Sequence, residues 1–392
     1  MENKKGFADR FDWTLAFIIL LFFIISLLAI SSGQTSGQYG KNFVSQQIFW
    51  YCVGCVIIAT VMFFEPEQYK KMSWIIYGTG VFMLFVLFIL PDSLGLVRPV
   101  NGAKSWFHLP VGNIQPAEFM KTFYILGLAR LITKHHDIYL MKTLKTDFIL
   151  LGKIGIALLI PLTFILLQPD LGTALVFMAI TAALIIVAGI TWKIILPLFI
   201  SIVTLGGTLL FMALYMPDFL EKLGFDPYQN ARIYSWLDPY SYAQGEGMHL
   251  ISSLNAIGSG EIFGKGYGGR EVYVPENHTD FIFAVIGEEY GFVGASIVVS
   301  LFFLLIFHLT KITLELKDPY STYVCAGIIA MITFHVFENI GMTIQLLPIT
   351  GIPLPFISYG GSSLMGNMLA IGLVFSMKFH HRTYMFAKNE DD

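Results

Sequence analysis

The sequence predicts an all-α polytopic membrane protein of about ten transmembrane helices, a single bundle with a large outer loop before the eighth helix. Three observations predict it. Of 392 residues, 55% are hydrophobic and 13% charged, with a mean hydropathy of +0.68, values that a soluble chain of this length does not reach. About ten apolar runs are long enough, allowing for tilt, to cross a hydrocarbon core. Threaded with both ends in the cytoplasm, these runs leave sixteen of the 24 Lys and Arg residues inside and eight outside, the bias expected of cytoplasmic loops. The formal net charge of −3 and the scatter of basic residues give no support to a nucleic-acid partner.

The runs cover 13–31, 44–64, 73–90, 119–133, 148–167, 171–189, 193–216, 281–308, 321–345 and 362–379. The first is too long for a cleaved signal peptide and reads as a retained span. Cys52 and Cys55 form a C-x-x-C inside the second run with no other ligand pair, so they read as thiols in a helix. The fourth run opens on Glu118 and Lys121. Together these make one integral membrane domain, with seven spans over 13–216, an outer loop over 217–280, three spans over 281–379 and a cytoplasmic tail over 380–392.

Inner connections are short and basic, whereas two outer segments are more than connectors. Segment 91–118 carries Asn101-Gly-Ala-Lys-Ser-Trp106 and leads into Gln115-Pro-Ala-Glu-Phe-Met-Lys121. Segment 217–280 is of a size that is usually functional or disordered, and its Tyr228, Tyr234, Trp236, Tyr240 and Tyr242 argue for order. Within it, Met248 to Ile257 has apolar residues at helical spacing, predicting a short amphipathic helix at the membrane interface. Gly264, Gly266 and Gly269 fit a loose G-x-G-x-x-G, but no strand precedes them, so a dinucleotide site is rejected.

The stretch Pro275-Glu276-Asn277-His278-Thr279-Asp280 closes the long loop and runs into the apolar Phe281 to Val285. A carboxylate at the edge of hydrocarbon is costly unless it has a function or a partner. Asp280 is therefore the candidate centre of an active site; the alternative is that it complements the dipole of the next helix. Glu288 and Glu289 follow, roughly 12 Å deeper by helix rise, and burying them requires a cation or a shared proton. Glu118 and Lys121, spaced i, i+3, either face a substrate or satisfy each other. Asp170 either caps the helix after it or lines a wet cavity. The segment from Pro348 to Ser363, rich in Gly and Pro and including Ser358, interrupts the chain on the same side. His335 and Glu338 in the ninth run read as a proton relay or an interhelical hydrogen bond. Under one threading Glu118, Lys121, Asp170, Arg232, Asp280 and the 353–363 segment share the outer face, which predicts a polar cavity open to that side.

These motifs resemble those of the SEDS family (shape, elongation, division, sporulation), and within it the elongation branch. The likeness rests on Asn101-Gly-Ala, Trp106, Gln115-Pro-x-Glu-Phe-x-Lys121, Gln168-Pro-Asp-Leu-Gly-Thr-Ala174, Ala256-Ile-Gly-Ser-Gly260, Gly264-Lys-Gly266, Pro275-Glu-x-His-Thr-Asp-Phe-Ile-Phe-Ala284, Glu288-Glu289 and Pro348-x-x-Gly-x-Pro-Leu-Pro-x-x-Ser-Tyr-Gly-Gly-Ser362. It spans essentially the whole membrane domain. It departs at Lys104, Ala117 and Ser252, where the family usually has Arg, Ser and often Gln.

The resemblance implies a peptidoglycan glycosyltransferase in the bacterial cytoplasmic membrane that polymerises lipid II into β-1,4 glycan strands at the outer face during elongation. Its implied partners are lipid II and the growing strand, a class B penicillin-binding transpeptidase, membrane lipids and other proteins of the elongation machinery. Asp280 is the implied essential aspartate, with Trp106, Glu118, Lys121 and Asp170 as sensitive polar positions. Asp280 would accept the proton of the acceptor hydroxyl, and the candidates to meet the leaving pyrophosphate are Lys121, Arg232, Lys265 and Arg270, with Lys104 as an outlying choice. No dense ligand cluster marks a metal, and a divalent cation such as magnesium or manganese stays open. The rival functions are a lipid II transporter and a non-catalytic scaffold of the elongation machinery.

Overall fold

The computed structural model describes residues 7–35, 42–90, 96–97, 104–109, 112–216, 227–243 and 245–381. The Asn101-Gly-Ala motif, Lys41, Arg98, Lys222 and the tail from residue 382 lie outside the described residues.

The chain is a helical bundle. After a short α1 (Phe7–Arg10) come α2 (Trp13–Thr35), α3 (Phe43–Met62) and α4 (Pro66–Ile89). A hairpin of β1 (Phe107–Leu109) and β2 (Gly112–Ile114) then precedes α5 (Pro116–Ile138). Next are α6 (Leu144–Leu166), α7 (Leu171–Val187) and α8 (Trp192–Tyr215). The long loop holds α9 (Pro227–Leu237) and α10 (Glu246–Ser259), and α11 (Ile282–Glu315), α12 (Pro319–Thr343) and α13 (Gly361–Phe379) complete the bundle.

Eight of these helices are long and apolar enough to cross a membrane, namely α2, α3, α4, α6, α8, α11, α12 and α13. The other two expected spans are helices at the expected places. Leu171–Val187 is a 17-residue apolar helix, and Pro116–Ile138 is long but carries polar residues that the interior accepts. It buries Glu118, Lys121, Thr122, Thr133 and His135, which is tolerable at membrane depth only against other protein. α12 and α13 are the most enclosed of the candidate spans, whereas α8 buries only Ile194 and Ala213. α13 lies close along α3, where Gly54 faces Met368 and Gly372 faces Ile58 and Val61, the close approach that small residues permit between membrane helices.

The eighth expected span is not one continuous helix. Gly291 interrupts Ile282–Glu315 at φ 62°, ψ −158°, a backbone region essentially reserved for glycine. A Cβ there would collide with Gly264 N, Ile262 O and Gly260 O. The glycine-rich turn of the long loop is pressed against this break and satisfies its free backbone groups. Lys265 and Gly266 donate their amides to Glu288 O (3.0 Å) and Glu289 O (2.9 Å), while Phe292 and Val293 donate to Glu261 O (2.9 Å) and Ile262 O (3.1 Å). Irregular backbone at this depth is viable only when buried in protein in this way.

The predicted amphipathic helix is present as α10, but its apolar face packs on protein. Leu250, Ala256, Phe281, Ala284, Met342 and Ile349 form a second small core between α10, the start of α11 and the end of α12. Ser253 Oγ donates to Thr343 O at 2.8 Å. The reason is geometric: the break at Gly291 leaves the first turns of α11 as a short separate segment, and these offer an apolar surface that the helix covers.

Candidate active site

Asp280 stands just before α11 at the end of the bundle where α5 and α7 begin and α12 ends. Its backbone is fixed by Asn339, whose Nδ2 donates to Asp280 O at 2.8 Å and to Ile352 O at 2.7 Å. Ser358 fixes the residue before it, donating from Oγ to Thr279 O at 2.6 Å and accepting from Leu354 N at 2.8 Å. Gly351, at φ 74°, lies against the carboxyl group itself: a Cβ there would be 3.4 Å from Asp280 Oδ2. The Gly- and Pro-rich segment is therefore the wall on which Asp280 rests.

The charge around Asp280 is mostly negative. Partial burial, then Glu276, push its carboxyl group up to about 7; Arg232 opposes the rise and Asp170 adds to it. A carboxylate poised there can take up a proton near neutral pH. Asp170 caps α7, accepting from Thr173 N at 2.9 Å and Thr173 Oγ1 at 2.8 Å, and also accepts from Gln115 Nε2 at 3.2 Å. It thus serves the helix cap expected of it and stands within electrostatic reach of Asp280. Gln115 is positioned through its own amide, which donates to Ser362 Oγ at 3.0 Å, while Ser362 donates to Asn113 O at 2.9 Å. The β-hairpin is in this way sewn to the start of α13.

Arg232 rides on α9. That helix is pinned by Trp236 Nε1 donating to Gln345 O (3.0 Å), by Gln345 Nε2 donating to Trp236 O (2.9 Å), and by Tyr234 hydroxyl donating to Ala213 O. Trp106 is half-buried at the entrance to the hairpin and Lys104 half-buried two residues earlier.

Beneath Asp280 lies a buried polar chain. Lys121 Nζ is 2.8 Å from Glu118 Oε2 and 2.9 Å from His335 Nε2. His335 Nδ1 is 2.6 Å from Met331 O, and a carbonyl can only accept. Nδ1 therefore carries the proton and Nε2 accepts from the Lys121 ammonium. Asn339 is one turn beyond His335 on α12, so Lys121 sits about 6 Å deeper than the residue holding Asp280. Glu338, on the same face, meets Thr350. The pairing reading of Glu118 with Lys121 and the hydrogen-bond reading of His335 are the geometries observed.

Lys265 and Arg270 are engaged elsewhere. Lys265 Nζ is 3.0 Å from Glu288 Oε1 and 3.0 Å from Glu271 Oε2, and Arg270 Nε is 3.3 Å from Glu289 Oε1. Glu288 also accepts from the amides of Glu271 (2.8 Å) and Val272 (3.1 Å), and Glu289 from Ser32 Oγ. These are the cations that the two buried carboxylates require. The structure brings Asp280, Asp170, Arg232 and Ser358 together, with Glu118 and Lys121 one layer deeper, and directs Lys265 and Arg270 to the break at Gly291. Among the described residues no three His, Cys, Asp or Glu side chains are arranged to hold a metal ion. Asp170 accepts three hydrogen bonds.

Asn339 escaped the sequence reading, as did the weight of Glu276. A signal existed for the first, since His335, Glu338 and Asn339 are spaced i, i+3, i+4 and so share one face of a buried helix.

A family model described as cell cycle protein FtsW/RodA/SpoVE matches residues 9–383. Stage V sporulation protein E of Bacillus subtilis (strain 168) is 34% identical over 388 residues, covering 97% of this chain and 100% of its own. Peptidoglycan glycosyltransferase RodA of Treponema pallidum (strain Nichols) is 32% identical over 439 residues, covering 95% and 98%. A solved structure titled "Structural coordination of polymerization and crosslinking by a peptidoglycan synthase complex" superposes with a TM-score of 0.77 at 25% identity, covering 94% of this chain and 97% of that one. The chain belongs to the FtsW/RodA/SpoVE family of polytopic membrane proteins, whose curated relatives of this length include peptidoglycan glycosyltransferases.

Proposed function

We propose that this chain is a peptidoglycan glycosyltransferase that polymerises lipid II into β-1,4 glycan strands at the outer face of the cytoplasmic membrane, with Asp280 as general base. The observation that carries the reading is the setting of Asp280: its own carbonyl held by Asn339 and that of the preceding Thr279 by Ser358, its carboxyl group packed on Gly351 and raised to about 7 by burial and then by Glu276.

The donor sugar of lipid II is α-linked to pyrophosphate and the product is β-linked, so one displacement with inversion suffices. Asp280 takes the proton of the acceptor 4-hydroxyl as its oxygen attacks the donor C1. The C1–oxygen bond to pyrophosphate breaks, and lipid pyrophosphate leaves unprotonated, so no second carboxylic acid is needed. Arg232, the cation whose charge bears on Asp280, is assigned to the developing negative charge of the leaving group. Lys121, paired with Glu118 and bonded to His335 one layer below, is assigned to supporting the floor of the site.

The setting is proposed to be cell elongation, in company with a class B penicillin-binding transpeptidase and other proteins of that machinery. The similarity to a sporulation protein leaves the coarser family reading unchanged. A lipid II transporter would use buried charges as a path, yet Glu288 and Glu289 are held by Lys265 and Arg270, which argues against it. The test is to supply labelled lipid II to the purified chain in detergent, where sidedness is absent, alone and with its cognate transpeptidase. Formation of glycan strands is expected. A protein that binds lipid II under both conditions and forms none would overturn the enzymatic reading in favour of transport or scaffolding.

A further inference from the structure

At the opposite end of the bundle from Asp280, the end of α5 and the facing parts of α4 and α6 line an open cleft of about 430 Å³, within the range of roughly 300–1,000 Å³ usual for ligand sites. Its lining mixes two chemistries: Lys134, His135 and Lys153 with Trp74, Ile156 and Ile160, and Lys153, Ile156 and Ile160 share one face of α6. Tyr77 closes the back, its hydroxyl donating to Ala157 O at 2.8 Å and its ring edge-on to Trp74 at 5.7 Å.

Lys153 is the informative residue. It stands nine residues into α6, about 13 Å from the start of that helix, where a cation is expensive unless it reaches an anion or water. Its Nζ is 3.5 Å from His135 Nδ1 and 5.7 Å from the centre of the Tyr139 ring, and neither group is an anion. No nearby carboxylate among the described residues forms an ion pair with Lys153. Asp147 accepts from Thr191 N at 2.9 Å and Thr191 Oγ1 at 2.5 Å, and Asp137 acts on His136. Lys142 on the α5–α6 connection donates to Gly189 O. Among the described residues neither Lys134 nor Lys153 is ion-paired. Asp147 acts on His135 and His136 only at a distance, so among the described residues the two lysines of this recess have no directly paired carboxylate. Its apolar side is open laterally, with Ile156 65% and Trp74 45% exposed, and an aromatic ring there suits the headgroup level of a membrane.

We infer that this cavity binds an anionic diacyl phospholipid, its phosphate between Lys134 and Lys153 and one acyl chain along Ile156 and Ile160. Basic pockets between membrane helices on the cytoplasmic side hold such headgroups, and the threading that puts Asp280 outside puts this end inside. The lateral apolar wall is what selects a lipid over a free phosphate ion.

Native mass spectrometry of the full chain tests it, with phosphatidylglycerol and phosphatidylethanolamine of identical acyl chains as probes. The wild-type chain is expected to retain phosphatidylglycerol roughly tenfold better, and Lys134→Gln with Lys153→Gln to abolish the preference. Ile156→Trp, which fills the groove and keeps both charges, should also reduce retention, and Lys153→Arg should preserve it. An unchanged preference in the double variant overturns the proposal. So does displacement of the lipid by an equal concentration of inorganic phosphate, which would mean a phosphate site without a lipid. Should the double variant not fold, the Ile156→Trp and Lys153→Arg pair decides by the same criteria.

Discussion

Asp280 sits where ionisation is costly, and the cost has a direction. Its carboxyl group is moved from an ordinary value of 3.8 up to about 7, first by burial and then by Glu276. The folded state consequently holds an extra proton between about pH 4 and 7, so this group's contribution to stability is present at low pH and is lost as pH rises through 7. Asp280→Asn, which removes the charge and keeps the shape, should therefore melt at a higher temperature than wild type at pH 8, with the gap closing toward pH 5. If the base must be ionised to act, polymerisation should rise with pH and level off above 7, with about a tenth of the plateau rate at pH 6. A rate independent of pH from 6 to 8 would argue against this role. At this scale the sequence marked Asp280, Asp170, Glu118 and Lys121 because charges next to apolar runs are conspicuous. It did not mark Asn339, which follows another polar residue in a span, nor reveal that Lys265 and Arg270 are committed to Glu288 and Glu289. Which cation meets which carboxylate depends on where the loop folds back, and spacing carries no record of that.

The break at Gly291 decides where the loop folds back. The first turns of α11, ending in Glu288 and Glu289, form a short segment clamped by the glycine-rich turn, and Asp280 stands at its start. Gly291→Ala would force a Cβ into the backbone of residues 260–264 and an L-residue into a glycine-only conformation. We expect a loss of roughly 2–3 kcal/mol, read as a lower melting temperature in detergent. Gly206→Ala in α8, where a Cβ meets nothing, should leave melting unchanged or slightly raised. Equal melting of the two variants would contradict the account of the break. The spans themselves were legible, because length and apolarity alone specify a helix in lipid. The break was not, since a glycine in an apolar run is ordinary in membrane helices and only the loop packed against it shows why it is there. The β-hairpin of residues 107–114 was likewise hidden, its two short strands being held by Ser362 from the far end of the chain.

Across the whole molecule the polar groups separate into two ends. One gathers Asp280, Asp170, Arg232 and the 348–363 segment; the other gathers Lys134, Lys142, Lys145 and Lys153. On the proposed threading, the bias of basic residues puts the first end outside. With native Cys52, Cys55 and Cys325 replaced, Glu276→Cys should react with a membrane-impermeant thiol reagent in intact cells, and Lys142→Cys only after permeabilisation. The reverse pattern would invert the bundle and remove the substrate's access to Asp280.

The most direct measurement compares wild type with Asp280→Asn in strand synthesis from purified lipid II, alongside lipid II binding and melting temperature. A loss of roughly 10²–10⁴-fold in rate, with binding retained and stability equal or higher, is the expected result. Strand synthesis by Asp280→Asn within tenfold of wild type would contradict the assignment of Asp280 as the base.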